Sequence, residues 1–168
     1  YRITLSRKSR DNGGESVKEI NDVFIIGIDS GYGNIKTANC CFPASVAVYD
    51  TEPVFKDNLL VYDGRYYLIG EGHKEFLADK TKDIDYYVLA LAGIARELNI
   101  RKITSGKVHI AAGLPLTWVS GQRNEFKDYL MQNREVEFTF RGTPYHVEIV
   151  GADVFPQGFA AVADRLSE

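Results

Sequence analysis

The chain has 168 residues, a formal net charge of -3, 45% apolar residues and 26% charged ones. That length supports one well-packed core and is short for two. The mildly acidic balance gives no electrostatic ground for direct binding to nucleic acid or a membrane, and no apolar run approaches the ~20 residues of a membrane span.

The only cysteines are the neighbours Cys40 and Cys41. Adjacent cysteines rarely bridge each other, so a reduced, cytoplasmic protein is expected. His73, His109 and His146 lie far apart, without metal-ligand spacing. No signal peptide is recognisable, and a chain beginning at Tyr1 is expected to be a processed product or a piece of something longer.

Residues 1–22 are polar. The basic cluster Arg7-Lys8-Ser9-Arg10 precedes Asp11-Asn12-Gly13-Gly14-Glu15-Ser16, and the stretch is expected to be a tail or linker. Val23 to Ser30 predicts a strand, apolar on successive positions and therefore expected to be buried on both faces. Asn34 to Asn39 and Phe42 to Tyr49 predict two more, which makes an antiparallel meander. Leu59 to Ile69 predicts a hairpin, because Asp63-Gly64 suits a type I′ turn. Gly70 to Glu75 reads as a connection, lacking the third glycine of a dinucleotide fingerprint.

Asp83 or Asp85 can cap a helix to about Asn99. Tyr87, Leu91, Ile94 and Leu98 recur in it at steps of four, three and four. Lys107 to Ala112 predicts a strand running into Gly113-Leu114-Pro115. A helix is expected from near Ser120, with Phe126, Tyr129 and Leu130 inward. Glu135 to Arg141 and Tyr145 to Ile149 alternate around Gly142-Thr143-Pro144, a second hairpin. Gly151 to Gly158 is expected to lead into a last helix, Phe159 to Leu166, with Gln157 at its start, where an anion is welcome. The order predicts an α/β domain, a mixed sheet of antiparallel and parallel strands with helices packed on it.

The chemistry concentrates at Asp29-Ser30-Gly31-Tyr32-Gly33-Asn34-Ile35-Lys36, a strand, a glycine-spaced turn and a returning strand. Gly31 and Gly33 can bring backbone N–H groups close to an anion. Lys36 supplies a mobile positive charge. Asp29 can hold a hard cation, directly or through water. The same residues would serve an ordinary hairpin turn.

This stretch resembles the first phosphate motif of the actin, Hsp70 and sugar-kinase superfamily, Asp-x-Gly-x-x-x-x-Lys. With Val108 to Pro115, which ends in Gly-Leu-Pro, and Val154 to Ala161, which holds Pro156-Gln157, it resembles the amino-terminal half of a bacterial plasmid-segregation actin of the ParM/StbA type, over residues 23–168. The resemblance implies an RNase H-like actin-type fold, Mg2+ and ATP bound between two such halves, and an ATPase that assembles into filaments and moves plasmid DNA through an adaptor protein. It implies Mg2+ held by Asp29 through water, phosphates wrapped by Ser30, Gly31, Tyr32, Gly33 and Asn34, Lys36 on the β/γ-phosphate oxygens, and Gln157 positioning the attacking water. The family's second phosphate loop and adenosine segment have no counterpart here, so this half alone is expected to bind ATP weakly and not to hydrolyse it. Two other functions share the features: a phosphotransferase of the sugar-kinase or acetate-kinase type, needing a catalytic aspartate for which Asp153 is the one carboxylate near Gln157, and a non-catalytic actin-fold interaction module.

Overall fold

The computed structural model describes residues 17–30, 33–71, 84–114 and 116–157, with the side chains of 116–120 outside that description. Its strands are β1 (Lys18–Ile20), β2 (Val23–Ser30), β3 (Asn34–Lys36), β4 (Cys41–Pro43), β5 (Val46–Tyr49), β6 (Leu59–Tyr62), β7 (Arg65–Ile69), β8 (Ser105–Leu114), β9 (Glu135–Phe140) and β10 (Thr143–Pro156). The helices are α1 (Ile84–Ile100) and α2 (Leu116–Leu130).

One sheet runs β4-β3-β2-β8-β10-β9-β6-β7-β5, with β1 added against β2. Its centre, β2-β8-β10, is parallel, and the flanking pairs are antiparallel. The period-2 alternation of strands sends Phe24, Ile26 and Ile28 to one face, beside Val108, Ile110 and Ala112 and then Ala152 and Val154. Helix α1 lies on this face. Gly93 lets it settle there, since an added Cβ would stand 3.2 Å from Thr37 Cγ2 and 4.0 Å from Ile28 Cδ1. Helix α2 packs chiefly against β10. It joins α1 through Tyr86–Phe126 ring contact at 5.0 Å and a 2.8 Å hydrogen bond from Tyr87 N–H to the Tyr129 hydroxyl.

Several expectations change. The strand Val23–Ser30 stands where predicted but is fully buried on one face only; the other, with exposed Gly27, is partly covered by the described residues. β3 stops at Lys36 because Thr37–Cys40 closes a tight turn, Thr37 N–H to Cys40 O at 2.8 Å. Buried Glu97 of α1 holds that turn, accepting from Thr37 Oγ1 at 2.5 Å and from Asn39 N and Nδ2 at 2.8 Å. The stretch read as one strand over 42–49 divides after Pro43: β4 pairs with β3, while β5 pairs with β7 at the far edge.

Asp63 and Gly64 take φ values of 48° and 72°, as a type I′ turn needs. The β9–β10 turn uses Arg141 and Gly142, at 52° and 77°, so Thr143 and Pro144 already belong to β10. β10 continues for 14 residues, making Gly151–Pro156 strand instead of a lead-in. A register shift between Ile149 and Gly151 bends it there. α2 begins at Leu116, before the expected Ser120. At the other end Lys18–Ile20, read as part of the tail, pairs with Val23–Ile25, and Val17 is buried, its carbonyl accepting from Arg101 Nη2 at 2.7 Å. Residues 1–16, the connection over 72–75, the Asp83 cap and the helix expected over 159–166 lie outside the described residues.

Candidate functional site

Register alone brings distant residues together. Asp29 of β2 pairs with Gly113 of β8, which pairs with Phe155 of β10, so the three form one row at the carboxyl ends of the parallel strands. In open α/β sheets that end is where ligands bind. One step on, Gln157 N–H donates to Leu114 O at 2.6 Å, and the Gln157 side-chain amide donates to the Ser30 carbonyl oxygen. Residues 29–30 and 157 therefore meet at one place.

Gly113 explains how closely they meet. A Cβ there would stand 2.7 Å from Asp29 Oδ1 and 3.6 Å from Gln157 Cγ. Asp29 Oδ1 is itself buried and has no hydrogen-bond partner among the described residues. Asp29 is paired across the β2–β3 ladder with Lys36, so their side chains share a face, and Lys36 is exposed. Gly33 takes φ +80°, the left-handed region, and its carbonyl accepts from Ala44 N–H at 2.9 Å. Asn34 is exposed opposite Pro43. Gly31 and Tyr32 lie outside the described residues.

Two residues join this wall that the sequence reading did not assign to it. Gly113 is one. The other is Tyr86, in the first turn of α1, which the periodicity of Tyr87, Leu91, Ile94 and Leu98 left out. It is buried, and burial pushes its phenol well above the ordinary range, with the Asp29 charge adding to that rise and a hydrogen bond with Ser30 opposing it. A large side chain at the start of the helix that follows the phosphate-type turn was the only sequence signal.

Asp153 stands apart. It pairs with Ala111, two positions below the Asp29 row, and bonds His109 Nε2 at 3.0 Å, with Lys127 Nζ at 3.8 Å. Among the described residues no group of three His, Cys, Asp or Glu side chains is placed to hold a metal, and no helix is long and apolar enough to cross a membrane.

A mixed sheet with a parallel centre, an amino-terminal meander and two packed helices is the actin-like fold. Residues 27–159 match the family model described as the N-terminal domain of actin-like proteins, and the chain belongs to that family. Among solved structures it is similar to the psk41 ParM protein in its apo form, at 14% identity over 86% of this chain and 52% of that one, TM-score 0.65. It is similar to Ta0583, an archaeal actin homologue, at 20% identity over 85% and 48%, TM-score 0.65, and Ta0583 has also been solved with ADP. It is similar to AlfA from a B. subtilis plasmid, pLS32, solved as a filament, at 15% identity over 83% and 58%, TM-score 0.62; an AlfA filament has also been solved with AMPPNP. At such identities the likeness speaks for the fold alone. The chain spans about half the length of these neighbours. No curated protein sequence matches it.

Proposed function

We propose that this domain is the amino-terminal half of a cytoplasmic actin-like ATPase that binds Mg2+-ATP between two halves and assembles into filaments for plasmid segregation, through an adaptor protein on the DNA. The observation that carries this is Asp29 Oδ1, buried and unpartnered against Gly113 at the ends of three parallel strands. Leaving a buried carboxylate oxygen without a donor or cation is costly, so the position suits a cationic or hydrated ligand. The donor set fits Mg2+ bound through water: a carboxylate, with no histidine or cysteine grouped with it among the described residues. When bound, the ion supplies charge neutralisation at the phosphate oxygens.

The remaining roles belong to the chain. The turn from Ser30 to Asn34 wraps the phosphates with backbone N–H groups, for which Gly33 already has the left-handed conformation. Lys36, on the Asp29 face, reaches the β/γ oxygens. Gln157 is fixed twice, by its backbone to Leu114 and by its amide N–H to Ser30. That leaves its Oε1 as the acceptor that orients an attacking water. An amide orients but is a poor base, so turnover is slow, as suits a timer of filament lifetime. AlfA, a structural neighbour solved as a filament, supports assembly. Asp153, engaged by His109 and Lys127, offers no support for a phosphotransferase.

The test is light scattering of the protein carrying both halves. Mg2+-ATP is expected to produce filaments, Asp29→Asn to suppress them, and Gln157→Ala to keep assembly while slowing hydrolysis and disassembly. Hydrolysis at the wild-type rate in Gln157→Ala would remove that residue's role. Absence of ATP-dependent assembly would overturn the filament reading. Micromolar ATP affinity of the present half alone, by calorimetry, would contradict a shared site.

A further inference from the structure

Away from the Asp29 wall, two guanidiniums gather without an ion-pair partner among the described residues. Arg96 of α1 and Arg141 of the β9–β10 turn both aim at one neutral atom, Asn58 Oδ1. Arg96 donates from Nη2 at 3.2 Å; Arg141 donates from Nε at 3.2 Å and Nη2 at 2.7 Å. An amide oxygen has two lone pairs, so three N–H groups crowd it. Arg96 Nε is buried and has no hydrogen-bond partner among the described residues.

Among the described residues neither guanidinium has a carboxylate within ion-pair distance. Glu97, next to Arg96 in sequence, is turned to Thr37 and Asn39. What holds the pair is aromatic: Arg96 Cζ lies 4.7 Å from the Phe42 ring centre and 5.4 Å from that of Phe140, and Arg141 Cζ lies 5.6 Å from Phe140. Ring faces steady a cation but do not cancel its charge. Burial, and after it the charge of Arg141, hold Arg96 below the ordinary guanidinium range. Arg141 also sits at φ +52°, a turn position that favours Asn, Asp or Gly, so turn chemistry gives no reason for an arginine there.

We propose that Arg96, Arg141 and Asn58 form a binding site for a small phosphate dianion, separate from the nucleotide wall. Two guanidiniums without an ion-pair partner favour a ligand that carries two negative charges over a singly charged carboxylate. Tetrahedral oxygens can serve both guanidinium forks at once, and a half-turn of the Asn58 amide presents Nδ2–H to the same ligand. Exposed Arg141 opens onto a groove of about 420 Å3, where Lys56 is already paired with Glu52 at 2.6 Å and Asp57, beside Asn58, is a carboxylate outside ion-pair distance of either guanidinium. Along α1, Arg96 stands ten residues beyond Tyr86 of the Asp29 wall, roughly 15 Å at the helical rise.

The test titrates this chain with inorganic phosphate at pH 7.5, with sodium chloride and acetate at equal ionic strength as controls. The Nε–Hε NMR signals of Arg96 and Arg141 and the melting temperature are followed. Phosphate is expected to shift both signals saturably and to raise the melting temperature, and the controls to do neither. Arg141→Gln should weaken phosphate about tenfold, the loss of one charge-assisted pair. Lys36→Gln should leave it unchanged. The proposal is overturned if the two signals do not saturate, if acetate matches phosphate, or if the response vanishes in Lys36→Gln and survives in Arg141→Gln, which puts the anion at the 29–36 turn. The NMR readout on the unsubstituted chain decides even if Arg141→Gln does not fold.

Discussion

Gly113→Ala tests the packing of the candidate site with a single carbon. Gly113 is not among the residues with positive φ, so alanine meets no backbone strain there. At an open position the same change would stabilise slightly, by limiting the unfolded chain. Here the new methyl lies 2.7 Å from Asp29 Oδ1, where ordinary contact begins at 3.4 Å. Asp29 has a short side chain, and its Oδ1 is enclosed, so it has little room to yield. Overpacking of this kind costs about 1–3 kcal/mol. Urea denaturation of the domain measures it. The control is Gly27→Ala, on the same face of the neighbouring strand, where an added Cβ meets nothing within 4 Å; it should be neutral or slightly stabilising. In the protein carrying both halves, a carboxylate displaced by several tenths of an ångström should weaken Mg2+-ATP-dependent turnover, by up to about 100-fold for a misplacement near 1 Å. Equal stability of the two alanine variants would refute the steric argument, and unaltered Mg2+ dependence would detach Gly113 from the site.

Three further outcomes are expected. Glu97→Ala strips a buried carboxylate from Thr37 and Asn39 and should cost about 3 kcal/mol in urea denaturation, with the Thr37–Cys40 turn losing amide-exchange protection first. Iodoacetamide followed by mass spectrometry should label exposed Cys41 well before Cys40, whose thiol is pushed up by burial and then by the Glu97 charge. His146, hydrogen-bonded to Glu135 at 2.6 Å and near Glu137 at 3.2 Å, is raised above its usual 6.5, mainly by the Glu135 bond. The folded state thus favours the protonated ring; its small stabilisation is present below pH 6.5 and fades as pH rises through the higher folded midpoint. An NMR titration should show that midpoint falling in Glu135→Gln.

Much of the fold is written locally. Asp63-Gly64 alone fixes the β6–β7 hairpin, and the periodicity of Tyr87, Leu91, Ile94 and Leu98 marks the buried face of α1. What escaped the sequence is one weakly patterned neighbouring strand and one change of partner. Lys18–Ile20 is charged enough to read as tail, yet pairing along β2 needs backbone groups and not apolar side chains. The split after Pro43 follows from two different partners, β3 and β7, which no local pattern names.

The site divides in the same way. Asp29 to Lys36 is contiguous, so its turn chemistry can be read directly, whereas Gln157 was tied to it only by resemblance. Physically the tie is one extra residue, Val150, between Ile149 and Gly151 in the pairing of β10 with β8. Before it, odd-numbered Val147 and Ile149 face the core; after it, even-numbered Ala152 and Val154 do. In a regular strand Asp153 and Phe155 would turn into the core, and Gln157 would stand two residues beyond the end of β8 instead of one. With the bulge, Phe155 falls level with Gly113 and Asp29, and Gln157 reaches Leu114 and Ser30. Gly151 makes room for it, because a Cβ there would stand 2.6 Å from His109 Nδ1. A glycine read as the start of a lead-in to a helix is thus a spacer inside a long strand, and the convergence of residues 29 and 157 depends on it.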